Sequence, residues 1–423
     1  MTETADNFDP LGAHFLSYRQ KDGTELTNEI MWRLRAGGIP VWRDADDLLP
    51  GDTETRLREA LADGLAGGVL VVTPDVANSR IVREIEAPTL VNLAERSGFS
   101  LAIANNILRR GKPDYGAPDR LLGRTDGRLA GFMQCAVPEP AEMRKLVDGV
   151  RKVRMRNIRD VVTTADGWMD INVQTRNFGS SDDRSGAGLD VRVKPARAGR
   201  LPDAAGLRLF ADTAAGFPTA VQGAGASKVR FSGGAHLSLA IALGMLLPAT
   251  RIGRMEVLDQ HGGTWAASAP VFSADGGGPL QVVDQTTRNR QGPHAVAVYL
   301  DLMPMRNDSA WQALVEEKCA DLGETLHVRS VSDGMLDLDR AAEIAAAAAT
   351  LTRDLSYRHG SAEVHLVYRG PFAMALLIGR LLNTVRAVLY EWDDTGAPPR
   401  YVATLRCTPA EMTTPVTVLL PEQ

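Results

Sequence analysis

His14-Phe15-Leu16-Ser17-Tyr18-Arg19 and, one helix later, Gly38-Ile39-Pro40-Val41-Trp42-Arg43-Asp44 decide the fold of the first part of the chain. Each is a short apolar run that turns polar at its end, as expected of a buried parallel strand delivering side chains to the carboxyl edge of a sheet. Between them Leu26, Ile30 and Leu34 recur at helical spacing, and Gly37-Gly38 closes the helix. A polar loop then runs to Leu49-Pro50-Gly51-Asp52. Asp52 or Thr53 can cap a further helix with Leu57, Leu61 and Leu65 on one face. Gly67-Gly68 releases that helix into Val69-Leu70-Val71-Val72. Strands are expected at 13–18, 39–43, 68–73 and 99–104, in a flavodoxin-like order of elements.

Composition sets the outer bounds. A chain of 423 residues has room for two or three domains, each with its own core. Hydrophobic residues make up 44% and charged residues 23%, and the net charge is −5. A dedicated duplex-DNA binder is usually basic, because phosphate neutralisation dominates that affinity. Cys135, Cys319 and Cys407 lie far apart and the seven histidines are scattered, so no metal site is expected. The first residues are acidic and no run reaches the roughly 20 apolar residues of a membrane span. A cytoplasmic protein without membrane contact is expected. Arg151-Lys152-Val153-Arg154-Met155-Arg156 ends a helix starting near Pro140, and it reads as a solvated face or linker, with anion binding as the alternative.

The remainder contains an internal echo. Lys228-Val229-Arg230-Phe231-Ser232-Gly233-Gly234-Ala235-His236 leads into an apolar helix with a late Gly244-Met245-Leu246-Leu247. Glu363-Val364-His365-Leu366-Val367-Tyr368-Arg369-Gly370-Pro371-Phe372 leads into another with a late Gly379-Arg380-Leu381-Leu382. Each is followed by a strand that turns polar, Met255 to Asp259 and Ala387 to Asp393. Two copies of one strand–turn–helix–strand unit imply two Rossmann-like halves.

The N-terminal motifs resemble a bacterial-type TIR domain, here 10–157. The duplication resembles a SAVED domain, here 158–423, built of two fused CARF-like halves at roughly 158–290 and 291–423. Together they resemble a TIR-SAVED effector of bacterial cyclic-oligonucleotide anti-phage signalling (CBASS). The resemblance implies an α/β protein: a parallel sheet flanked by helices, followed by the doubled Rossmann-like unit.

TIR domains of this type cleave NAD+ or act as assembly modules. Cleavage breaks the nicotinamide–ribose bond through an oxocarbenium-like transition state, and one carboxylate can stabilise it or form an ester. The family places that glutamate on the helix after the third strand. In Thr73-Pro74-Asp75-Val76-Ala77-Asn78-Ser79-Arg80-Ile81-Val82-Arg83-Glu84-Ile85-Glu86, the resemblance assigns it to Glu84, with Glu86 as runner-up. Arg80 or Ile81 stands where the family carries an aromatic. Ser17, Arg19, Trp42, Arg43 and Asp44 are the substrate-binding candidates, and Asp46, Asp47 and Leu48 belong to an interface loop. Trp42 also reads as core.

For the second part, glycine turns and helix N-termini suit the phosphates of a cyclic oligonucleotide. Lys228, Ser232, Gly233, Gly234, His236, Arg369, Gly370, Pro371, Phe372, Tyr390 and Trp392 are the candidates. The alternative reading of the two aromatics is core. The resemblance implies an NAD+ nucleosidase (glycohydrolase) activated by a cyclic oligoadenylate, the triadenylate first. NAD+ is then a substrate and no cofactor or metal is required. Ligand binding is expected to drive a homo-oligomer or filament that assembles the TIR active sites, releasing nicotinamide and ADP-ribose. The alternative function is a non-enzymatic TIR adaptor gated by a nucleotide ligand.

Overall fold

The computed structural model describes residues 8–42, 60–61, 63–95, 98–176, 186–196, 200–267, 278–288 and 294–421. The chain forms two compact units. One comprises 1–172, 178–193 and 220–225; the other comprises 173–177, 194–219 and 226–423.

The first unit is organised by five parallel strands: β1 (Phe8–Ser17), β2 (Val41–Trp42), β3 (Leu65–Val72), β4 (Ser100–Asn105) and β5 (Met133–Ala136), in the order β2-β1-β3-β4-β5. This is the flavodoxin-like order, whose switch point lies between β1 and β3. Helix α1 (Gln20–Ala36) connects β1 to β2. Alternate strand residues divide between two cores. Phe15, Leu70, Val72 and Ile103 pack on one face, and Leu16, Val69, Val71 and Ala104 on the other. Both faces are covered, which is why β3 reads as an unbroken apolar run.

Two expectations are corrected here. Leu65 does not belong to a helix; it begins β3, and Gly67 and Gly68 lie inside that strand. Their lack of a side chain answers to crowding. A Cβ on Gly67 would stand 2.5 Å from the Ser100 carbonyl oxygen, and one on Gly68 2.7 Å from Leu90 Cδ2. The basic run is not a solvated face either. It lies on α3 (Pro140–Asn157), where Arg151 and Arg154 are buried. Arg154 donates to the carbonyls of Gly12 at 2.6 Å, Leu11 at 2.8 Å and Gly188 at 2.9 Å. A guanidinium with five fixed donors can satisfy several orphan carbonyls at once, which offsets the cost of burying its charge.

The second unit contains the two echoing segments. In the first, β6 (Lys228–Gly234) leads through α4 (Leu237–Leu246) to β7 (Arg254–Leu258), parallel to β6, and β8 (Thr264–Ala267) returns antiparallel. The second lies in a seven-stranded sheet of β9 (Leu280–Thr287), β10 (Ala295–Asp301), β11 (Leu322–Ser330), β12 (Val364–Arg369), β13 (Ala387–Asp393), β14 (Arg400–Cys407) and β15 (Val416–Val418). Its order is β9-β11-β10-β12-β13-β14-β15. Helices α5 (Ser309–Glu317), α6 (Ala341–Arg358) and α7 (Phe372–Gly379) make the crossovers between its four parallel strands, β11, β10, β12 and β13.

In that sheet β10 feeds β11 on one side, and β11 returns to β12 on the other. The switch point therefore lies between β10 and β12, where open α/β sheets hold ligands. Helices α4 and α7 are apolar all round because both are buried. Among the described residues no helix is long and apolar enough to cross a membrane.

Candidate functional sites

Each unit carries a cleft at the carboxyl edge of a parallel sheet. In the first unit a cleft of about 320 Å³ opens at the end of β1 and is lined by Tyr18, Arg19, Lys21, Ser79, Arg80 and Glu86, among others. Its far wall is a helix that begins at Arg80, passes through a π-turn at Val82–Glu86 and continues as α2 (Ala87–Ala94). A π-turn fits one extra residue into a helical turn and so rotates what precedes it; such turns recur at functional sites.

The rotation separates the two glutamates. Glu86 is buried against the sheet and accepts the Ser17 hydroxyl at 2.6 Å. Glu84 is on the outer surface. Arg80 bonds it at 2.7 Å and Arg83 at 2.9 Å, and the bond from Arg80, then that from Arg83, holds its carboxyl below the usual range. In the isolated chain the carboxylate lining the cleft is thus Glu86, and the position assigned to Glu84 lies outside it. Of the two strand-end candidates Arg19 lines the cleft, tied to Asp22 at 3.0 Å and Asp75 at 3.5 Å, whereas Ser17 is fully buried behind Glu86. Trp42 does not reach it. It stacks on Phe15 with centroids 5.3 Å apart, in the core, because β2 pairs beside β1 over that face. Arg43, Asp44, Asp46, Asp47 and Leu48 lie outside the described residues.

The second unit holds two adjoining cavities that share Arg176 and Arg200. The larger, of about 330 Å³, adds Leu237, Tyr368, Arg369, Glu391, Trp392 and Tyr401. The smaller, of about 260 Å³, adds Thr175, Leu201 and His236. Three guanidinium groups with Trp392 and Tyr401 present both charge and stacking faces. The two rings pack edge to face at 5.3 Å. Arg369 closes β12 and is held by Asp301 at 3.0 Å, its register partner at the end of β10, and by the Met305 carbonyl.

Asp301, Asp308 and His327 gather nearby in a way that could hold a cation. Arg329 already bonds Asp308 and lies 3.4 Å from Asp301, so guanidinium groups neutralise these acids.

His236 caps α4 at the edge of the smaller cavity. The Arg200 carbonyl, 3.0 Å from its Nε2, can only accept, so Nε2 carries the hydrogen and Nδ1 accepts from the Thr175 hydroxyl at 2.7 Å. Burial, then Arg176, lowers its pKa to about 3, so the ring is neutral. With both nitrogens engaged it organises Thr175 and Arg200, and no nitrogen is left for a base.

Other candidates are also displaced. Lys228 starts β6 and so stands at the amino end of the strand, away from the carboxyl edge. Ser232, Gly233 and Gly234 belong to β6 itself, and Gly233 adopts a φ of 91°. Tyr390 is core: its hydroxyl meets His365 Nδ1 at 2.6 Å and its ring packs in the cluster with Tyr299 and Trp311. Gly370 lies against the Tyr368 ring, whose hydroxyl bonds the Pro371 carbonyl at 2.8 Å; Pro371 caps α7 and Phe372 is its first residue. Of the candidates only Arg369 and Trp392 line the larger cavity and only His236 the smaller. Arg176, Arg200, Tyr368, Glu391 and Tyr401 were missed; the polar strand end Tyr390-Glu391-Trp392-Asp393 was the signal for Glu391.

The second unit is thus a doubled α/β unit with an arginine- and aromatic-lined cavity at its carboxyl edge. Residues 216–406 match the SAVED family, described as a "SMODS-associated and fused to various effectors sensor domain". The chain therefore carries a SAVED domain. Among solved structures it is similar to the Acinetobacter baumannii Cap4 SAVED/CARF-domain containing receptor with the cyclic trinucleotide 2'3'3'-cAAA, at 14% identity and a TM-score of 0.44, covering 85% of this chain and 86% of that one. The same receptor with 3'3'3'-cAAA gives 13% and 0.43 over 85% and 86%. The Moraxella osloensis Cap4 SAVED/CARF-domain containing receptor gives 13% and 0.40 over 90% and 97%. No curated protein matches the chain.

Proposed function

We propose that this chain is a cyclic-oligonucleotide receptor of antiviral defence whose SAVED domain controls an N-terminal TIR-type NAD+ glycohydrolase. The observation that carries the first half is the cavity in the second unit, where Arg176, Arg200 and Arg369 surround space faced by Trp392 and Tyr401. Guanidinium groups suit phosphates and the rings suit bases, each stacked base contributing roughly 1–3 kcal/mol. A domain described as a sensor fused to various effectors also suits a chain with a separate α/β unit before it. The ligand class is a cyclic oligoadenylate, the triadenylate first.

For the second half, the cleft lies at the β1–β3 switch point and offers Arg19 and Glu86, with Glu84 on the outer face of the same helix. Glu84 would stabilise the oxocarbenium-like ribose, or attack it to form an ester that water then opens, while nicotinamide leaves. A surface carboxylate clamped by Arg80 and Arg83 suits a site completed only when a second copy docks, which gives the ligand its control. The ligand must then bind the assembled state more tightly than the free one.

The test is nicotinamide release from NAD+ by the full chain against a panel of cyclic nucleotides. No release with any member, or release undiminished in Glu84→Gln, would end the enzymatic part. The second reading, a non-enzymatic adaptor, is favoured by the missing aromatic, where Arg80 or Ile81 stands, and by the ion-paired Glu84. Ligand-driven assembly without nicotinamide release would support it.

A further inference from the structure

Glu391 is a buried acid in the wall of a cavity, and its placement asks for a reason. It lies near the end of β13, and only 3% of it is exposed. Oε1 accepts the Ser238 backbone N–H at 2.6 Å, in the first turn of α4. Oε2 stands 4.0 Å from an Arg176 nitrogen, an ion-pair distance but too long for a hydrogen bond. Capping a helix uses one carboxylate oxygen, and Ser, Thr, Asp or Asn on the helix's own chain does it without burying a distant acid. A carboxylate offers about four acceptor positions. Held by Leu237 and Ser238 in the first turn of α4, it keeps acceptor capacity in a cavity that Trp392 also lines.

We infer that Glu391 reads a base held in this cavity, accepting from an exocyclic amine and so selecting an amino-bearing base such as adenine over its oxo counterpart, hypoxanthine. This rests on the proposed reading of the cavity as a nucleotide site. The cavity has the parts of base recognition: stacking faces, a rigid acceptor in its wall, and arginines for phosphate. A buried acceptor rejects a base that presents a carbonyl oxygen in the amine's place, because both groups are then left unpaired. Arg176, half-exposed and able to swing, would move from the carboxylate toward a phosphate when ligand enters.

The experiment measures binding of cyclic triadenylate and cyclic tri-inosinate to the full chain by calorimetry, for the wild type and Glu391→Gln. A glutamine amide keeps the oxygen that caps Ser238 but turns the other position from acceptor to donor. The wild type should prefer the adenine ring by roughly tenfold or more. In Glu391→Gln that preference should vanish or invert, with an unchanged unfolding midpoint. Equal wild-type binding of the two rings would overturn the inference and leave the nucleotide site standing, and this ratio decides even if the variant fails to fold. A variant that keeps the adenine preference would overturn it as well. No binding of either ring, or of any cyclic trinucleotide, would remove the nucleotide reading itself and the inference with it.

Discussion

Gly244 and Gly379 meet where the two echoing helices of the second unit cross. A Cβ on Gly244 would stand 2.4 Å from the Leu376 carbonyl oxygen, and one on Gly379 would stand 2.3 Å from that of Ile241. The contact is reciprocal, each glycine set against the other helix's backbone about one turn before its partner. The late glycine in both copies of the echo thus has one cause: the helices approach backbone to backbone.

Gly244→Ala and Gly379→Ala should therefore each destabilise the second unit by about 1–3 kcal/mol or more, because backbone cannot yield as a side chain can. Gly234→Ala, with open space around it and no positive φ, should stay within about 0.5 kcal/mol. Urea unfolding of the three variants is the check. Equal midpoints for all three would contradict the crossing.

Periodicity and the internal echo carried most of the fold into view. Alternation and glycine punctuation located β1 and β2, and the repeated strand–helix–strand segments located the second unit's core. The sites were harder for physical reasons. A π-turn has no sequence signature, so the register that puts Glu86 and not Glu84 beside Ser17 could not be counted from α-helical geometry. Lys228 was chosen for its charge, but a residue at the start of β6 stands at the wrong edge. Arg176 and Arg200 sit on connecting segments whose path depends on tertiary packing. Arg154 read as surface because burial of a charge depends on carbonyls brought from distant segments.

Arg200 should contribute to ligand affinity through charge alone. Its guanidinium is largely exposed and paired with Asp394 at 3.0 Å, while its carbonyl does the structural work on His236. Arg200→Ala should weaken cyclic triadenylate binding several-fold at low salt and less at high salt, since screening already removes that term. The unfolding midpoint should stay put. Titrations at two ionic strengths decide it; a loss independent of salt would argue against a phosphate role.

Trp392→Ala should lower affinity by roughly 1–3 kcal/mol if a base stacks there. Tyr390→Phe should leave affinity alone, because its hydroxyl is spent on His365 in the core. Matching losses in the two variants would mean that the cavity wall has been assigned wrongly.

In the first unit Ser17 and Glu86 should act as a structural pair. Ser17→Ala removes a buried bond to a carboxylate and should cost about 1–3 kcal/mol of stability. Glu84→Gln breaks only surface pairs and should leave the unfolding midpoint unchanged while abolishing nicotinamide release. Measuring unfolding and turnover on both variants separates the roles. A Glu84→Gln enzyme that remained active while Ser17→Ala stayed fully stable would reverse the assignment.

Acid should destabilise both units through buried histidines: His14 in the first, and His236, His327 and His365 in the second, all lowered first by burial. Burial, with Arg154 adding, lowers His14 to about 3, and burial, with Arg176 adding, lowers His236 to about 3. Above pH 6.5 both states are neutral at these rings and nothing is lost. As pH falls from 6.5 toward 3 the unfolded chain takes up a proton that the folded chain refuses. Stability therefore drops by up to about 1.4 kcal/mol per pH unit for each ring, and the loss ends once the folded ring protonates. Glu391, raised by burial, works the other way near its ordinary value: the folded state keeps its proton there, so acid favours folding at that group. His236→Gln should flatten the slope of urea midpoint against pH between about 6 and 4, and the wild-type slope retained in that variant would show that the ring accepts a proton where it sits.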